Sequence, residues 1–158
     1  MWEVLERHPN VKRNYNGGSG FGVRGSRFVS GMKSFRELEV WQVGMALTRD
    51  VYEILKSFPL EERYALCDQI RRSAVSVVSN IAEGFGRDST KDYLHFLAMS
   101  RGSLFELETQ LELAEPIGYV IISNEIRDKI DHVGRMLNSL SAKLKARITN
   151  PKPLTPND

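Results

Sequence analysis

This 158-residue sequence predicts an all-α fold, an antiparallel up-down-up-down four-helix bundle. Three observations carry that reading. Four stretches place apolar residues at alternating spacings of three and four, the repeat of one helical face. The connectors between them are only a few residues long, which makes consecutive helices antiparallel neighbours. No stretch alternates apolar and polar residues with period two, so no strand is predicted.

The first helix opens at Ser34-Phe-Arg-Glu37, a capping box, and runs to about Phe58, before Pro59. Leu38, Trp41, Met45, Thr48, Tyr52 and Leu55 form its seam, and Val40, Val43, Leu47, Val51, Ile54 and Phe58 a second apolar row. One row suffices for an isolated bundle; two predict burial on both sides, hence self-association. The second helix runs from near Leu60 to Gly84, which is expected to end it in a left-handed conformation. Its core face is Ile70, Ala74, Val77 and Ile81, with Val75, Val78 and Ala82 on another apolar strip.

The third helix starts after Ser89 or Thr90, both good N-caps, and ends at Pro116 and Gly118. Tyr93, Leu97, Ser100, Leu104, Leu107, Leu111 and Ala114 are its seam. Ser123 caps the fourth helix, whose seam is Ile126, Ile130, Val133, Leu137, Leu140 and Leu144. The organisation is a Gly-rich flexible leader over 1–33, the bundle over 34–148 and a Pro-rich tail over 149–158. Met32, just before the patterned region, is a second candidate start of translation.

Composition narrows the classes of function. No apolar run approaches the roughly 18 residues of a spanning helix, and no secretory signal is legible. The single cysteine, Cys67, excludes an intrachain disulfide and a Cys-based metal cluster, so a reducing cytoplasm is the expected compartment. Residues 1–34 hold six Lys/Arg against two Glu, whereas the remainder holds sixteen against eighteen acids. The folded body is therefore not strongly basic, and any polyanion must be met by local clusters. The best clusters are Arg24, Arg27 and Lys33 in the leader and Lys143, Lys145 and Arg147 at the end of the fourth helix. Phe21 and Phe28 could stack on bases beside the first.

No catalytic constellation, cofactor site or metal site is predicted. Gly20-Phe-Gly-Val-Arg-Gly25 matches a dinucleotide fingerprint but lacks the strand before it and the helix within it. Asp92-x-x-His95 has the spacing of a bundle metal ligand pair but lies off the core seam, as does His132. The second helix instead carries a polar stripe, Gln69, Ser73, Ser76, Asn80 and Glu83, with Arg72 beside it. Small residues there and at Gly102-Ser103 permit close helix approach, and Arg72 or Gln69 is placed to pair with Glu106. Glu83 is expected to cap the third helix, and Asn80 to bond loop carbonyls beyond Gly84.

The segments FRELEVWQVGMALTRDVYEILKSFP, LCDQIRRSAVSVVSNIAEGFGR, FLAMSRGSLFELETQLELA and GRMLNSLSAKLK resemble the S23 ribosomal protein family. Its members are also known as proteins encoded in intervening sequences of bacterial 23S ribosomal RNA genes. The run from Ser76 and Asn80 to Gly86, and Gly102 to Glu106, are the most specific parts. Pro116 interrupts a segment that usually reads as uninterrupted helix. The resemblance implies a bacterial cytoplasmic protein that assembles as a ring-like homo-oligomer, a pentamer, with no catalytic residues. The chain is also similar in fold to the accessory variability protein of diversity-generating retroelements, which binds nucleic acid and a reverse transcriptase. By match to the family motifs, the positions of interest are Gln69, Arg72, Ser76, Asn80, Glu83, Ser103 and Glu106. The function expected is non-enzymatic binding of RNA or of a nucleic-acid-handling partner, the alternative a protein–protein scaffold.

Overall fold

A computed structural model describes residues 32–149 and builds them from four α-helices. These are α1 (Glu39–Ile54), α2 (Leu66–Phe85), α3 (Thr90–Ile117) and α4 (Asn124–Thr149). Most of the predicted leader and tail, including Arg24, Arg27 and the Gly20–Gly25 run, lies outside the described residues.

α1 begins later than the capping box predicts. Ser34 Oγ accepts from the Arg36 amide at 3.2 Å, and the Glu37 carboxylate from the Lys33 amide at 3.4 Å. The box thus closes a single 3-10 turn, Phe35–Glu37. Leu38 then goes extended (φ −71°, ψ 118°), which lets its side chain drop into the core before α1 starts. At the far end α1 gives way at Leu55 to a further 3-10 turn, so the α-helix stops short of Phe58. The buried face is also the other row: Val40, Leu47 and Val51 are in the core, whereas Tyr52 is exposed and Trp41, Met45 and Thr48 are half-buried.

α2 starts six residues later than expected, because Leu60–Tyr64 is a 3-10 turn and Ala65 breaks the path. Glu62 explains the offset. Its carboxylate accepts from the Leu66 amide at 3.3 Å and from the Tyr119 hydroxyl at 3.2 Å, capping α2 and tying the turn to the α3–α4 loop. The expectation at Gly84 is overturned. It lies inside the helix, and a Cβ there would sit 2.7 Å from the Tyr93 ring and 2.8 Å from Phe96 Cβ. Gly84 serves close packing, not a turn, and α2 ends one residue on, at Phe85.

Ser89 caps α3 by accepting from the Asp92 amide at 3.2 Å. Pro116 is carried within the last turn, where it costs one intrahelical bond, and Gly118 (φ 88°) closes the helix with its left-handed conformation. All seven predicted seam residues of α3 are buried, as is the α4 seam except half-buried Leu140.

Side-chain contacts fix the directions. Gly44 faces Val78 and Thr48 bonds the Ala74 carbonyl; Ser73 meets Gln110, Ser76 meets Ser103, and Gly84 meets Tyr93. Arg101 meets Asn138, and Arg127 meets Glu115. In each pair one number rises as the other falls, so consecutive helices run oppositely. α1 also packs on α4, closing the bundle. One end therefore gathers the start of α1, the α2–α3 turn and the last turns of α4. The other gathers the α1–α2 and α3–α4 connections.

Candidate functional site

The conspicuous polar feature is the seam between α2 and α3, the most extensive helix pair in the bundle. Ser76 Oγ and Ser103 Oγ lie 2.8 Å apart, and Ser103 donates to the Met99 carbonyl at 3.1 Å. With that proton committed, Ser76 is the donor to Ser103. Asn80 Nδ2 gives one hydrogen to the Ser76 carbonyl at 2.9 Å and the other to Ser76 Oγ at 3.0 Å. The carbonyl fixes which way the Asn80 amide faces, since only the nitrogen can donate. Three of the seven motif residues, Ser76, Asn80 and Ser103, thus form one hydrogen-bonded cluster.

The other predicted contacts are not made. Asn80 does not reach the loop after Gly84, because its amide is spent one turn back. Nor does Glu83 cap α3: it pairs with Arg87 on the surface, and the cap is Ser89. Arg72 pairs with Asp68 at 2.9 Å, four residues back on its own helix, so the predicted bridge to Glu106 is not formed. Glu106 instead accepts from Gln110 Nε2 at 3.2 Å, and Gln69 lines a groove beyond the seam.

Sequence reasoning left Ser73, Ser100 and Gln110 out of the motif set. Ser73 Oγ lies 2.8 Å from Gln110 Oε1, and Ser100 donates to the Val77 carbonyl at 2.8 Å. The legible signal was Ser100 itself, a hydroxyl within an otherwise apolar row, since buried polar groups need partners. Small side chains bonded across the seam let the backbones approach closely. Nothing in this cluster is activated as a nucleophile.

Other reactive groups are equally quiet. Burial pushes the Cys67 thiol up, outweighing the favourable field of Arg71, so it stays a protonated core group. Burial likewise raises the Tyr93 phenol, whose oxygen has no hydrogen-bond partner. His95 and His132 are exposed, and among the described residues no group of His, Cys, Asp and Glu is placed to hold a metal ion.

Charge is where the structure adds most. Residues 32–46, 77–102 and 137–149 make up the end of the bundle from which both described termini leave, and hold eight Lys/Arg against five Asp/Glu. Residues 47–76 and 103–136, the opposite end, hold eight against twelve. Lys129 meets Asp50 at 2.7 Å, and stepping outward along antiparallel α1 and α4 puts Glu39, the start of α1, about level with Leu140, with Lys33 and residues 143–147 lying beyond them at the same end. Lys33, the described member of the leader cluster, therefore shares one end with Lys143, Lys145 and Arg147, and Lys91 and Arg87 lie there too. Lys33, Lys91, Lys143 and Lys145 make no ion pair among the described residues. Arg36 and Arg87 lie over the Phe35 and Phe96 rings, at 4.6 and 4.5 Å from the centroids.

Comparison with known proteins decides the family. The model of the 23S rRNA-intervening sequence protein family matches residues 36–139. The chain belongs to that family. A solved structure from Bacteroides thetaiotaomicron, described as a protein of unknown function from the S23 ribosomal protein family, is 21% identical with a TM-score of 0.49. The match covers 70% of this chain and 99% of that one. No curated protein matches the chain. The described residues form helices and connecting turns, and no helix among them is long and apolar enough to cross a membrane.

Proposed function

We propose that this protein is a non-enzymatic, self-assembling bundle of the bacterial cytoplasm that binds RNA, alone or with a nucleic-acid-handling partner such as a reverse transcriptase. The observation that carries the reading is the gathering of Lys33, Lys143, Lys145 and Arg147 at one end. Residues 1–31, with Arg24 and Arg27, join the bundle at that same end. A net charge near zero over the body no longer argues against a polyanion once the cations are segregated. Because the contacts are to phosphates, binding is sequence-tolerant and weakens steeply with salt. Self-assembly is supported by exposed Tyr52 and Val75 and half-buried Trp41 and Met45 on the α1–α2 side. The pentameric count rests on the family resemblance. A ring would repeat the basic end and raise affinity through multivalency.

Filter binding of single-stranded RNA at low and physiological salt tests the reading, with light scattering on the same sample. Expected are retention at low salt, a steep fall at the higher salt, and a mass well above 18.0 kDa. No retention by the intact protein at low salt would replace this reading with the scaffold alternative. A monomer at micromolar concentration would remove the assembly.

A further inference from the structure

Ten large apolar side chains are exposed among the described residues, and eight of them fall in the acidic end. Only Met99 and Ile148 belong to the basic end. An apolar surface concentrated this way marks a docking site more often than chance exposure does. Leu60, Tyr64, Leu113, Ile117 and Ile121 cluster around the α1–α2 and α3–α4 connections, with Tyr64 88% and Ile121 90% exposed.

Three of these, Tyr64, Leu113 and Ile117, line an open groove of about 600 Å³ together with Leu66 and Tyr119. It is pre-formed. Tyr119 is held by its hydroxyl on Glu62, by Ser57 Oγ on its carbonyl at 3.4 Å, and by the Phe58 ring at 5.8 Å between centroids. Leu113 and Ile117 stand one turn apart on α3, the spacing that receives side chains at i and i+4 of a helix laid along them. Of the groove's three charged residues, Arg72 and Asp68 pair with each other and Glu62 is left as the net negative charge.

We propose that this groove docks a cationic amphipathic helix of another protein. Its apolar floor asks for an apolar stripe. The excess of acids over cations in this half of the bundle asks for Lys or Arg beside that stripe. The same excess repels RNA and anionic membranes, and sets acid against acid if two copies meet groove to groove. The proposal is independent of RNA binding, which concerns the opposite end.

The probe is a labelled synthetic peptide of about 18 Leu and Lys residues, with Leu at i, i+3, i+4 and i+7. Fluorescence anisotropy is read against the intact protein, the same pattern with Glu for Lys, and a scrambled Leu/Lys peptide. Expected is saturable binding of the patterned Lys peptide, at least tenfold weaker for the Glu and scrambled peptides. Leu113→Ser/Ile117→Ser and, separately, Tyr64→Ser should weaken it about tenfold, while Met99→Ser leaves it unchanged. All four side chains are at least two-fifths exposed, so these variants keep the core intact. Equal binding of the scrambled peptide, or groove variants that bind like wild type, would overturn the proposal. So would groove variants that lower the mass in light scattering, because the groove would then belong to a second copy.

Discussion

Where the termini leave the bundle, eight cations face five acids and four lysines stand without a carboxylate partner among the described residues. At the other end twelve acids outnumber eight cations, and Lys56, Arg72, Arg127 and Lys129 are each tied to a carboxylate. Exposed apolar side chains follow the acids. Two ends made from the same four helices thus carry charge excesses of opposite sign. The difference teaches that net charge, nearly zero over the body, is a poor guide to what a bundle binds. Segregation along its axis creates fields of both signs, each felt within about a Debye length of roughly 8 Å at physiological salt.

Reversing one end is the strongest way to break the contrast. Lys143→Glu/Lys145→Glu/Arg147→Glu leaves the basic end with more acids than cations. RNA retention at low salt should fall about a hundredfold, on the scale of several lost phosphate contacts. Arg63→Glu/Arg71→Glu, at the acidic end, should change it by less than about twofold. Equal losses from the two variants would show that the ends are not distinct in function.

A second test asks whether the α2–α3 hairpin holds the basic end in shape. Gly84→Ala forces a methyl against Tyr93 and should lower stability by about 1–3 kcal/mol, as overpacking does. Gly102→Ala, on the partner helix, meets nothing within 4 Å and should raise stability by about 0.5–1 kcal/mol through helix propensity. Thermal melts of the pair decide it.

The acidic end should also be the one that pH loosens. Glu115 accepts from the Ile122 amide at 2.9 Å and from Arg127, and the amide bond above all holds its carboxyl below the ordinary value of 4.5. A depressed folded pKa contributes stability above pH 4.5 that is lost as pH falls through the lower folded value. Lys129, raised above 10.5 by bonds to Asp50 and then Glu125, contributes stability that is present below that pH and lost as pH rises through its folded value. Hydrogen exchange corrected for intrinsic rates should show the Ile122 amide losing protection in acid before the Tyr93 amide, which Ser89 holds at 2.9 Å. Simultaneous loss would mean the bundle opens as one unit.

The smallest effect expected is Tyr93→Phe. It removes a buried hydroxyl without a partner, whose desolvation works against folding. Stability should stay level or rise by up to about 1 kcal/mol. A clear loss would reveal a bound water or partner on that hydroxyl.

Much of the fold was legible because core-facing rows repeat with the helix. The α3 seam was read residue by residue, Ser100 included. The α1 face was not, because both its rows are apolar and only the positions of α2 and α4 choose between them. Boundaries failed where a distant group intervened. Glu62 bonds Tyr119, 57 residues away, and shifts the start of α2. Gly84 looked like a turn because its role depends on Tyr93 of the next helix. In the polar stripe, Ser76, Asn80 and Ser103 are joined by hydrogen bonds, but Arg72 and Glu83 found ion-pair partners only four residues away in sequence. Such local pairs form with little loss of chain entropy, so a cross-helix bridge must outweigh them.

By itself the sequence determined the number of helices, their order, most of the core and the family, because periodicity and short-range motifs are local properties of the chain. Tertiary structure alone decided which apolar row of α1 is inside, why Gly84 is glycine, and that cations and acids separate to opposite ends. Those outcomes depend on which distant residues share a level along the bundle axis. Antiparallel packing brings residue 50 beside residue 129 and residue 62 beside residue 119, and no local pattern records that.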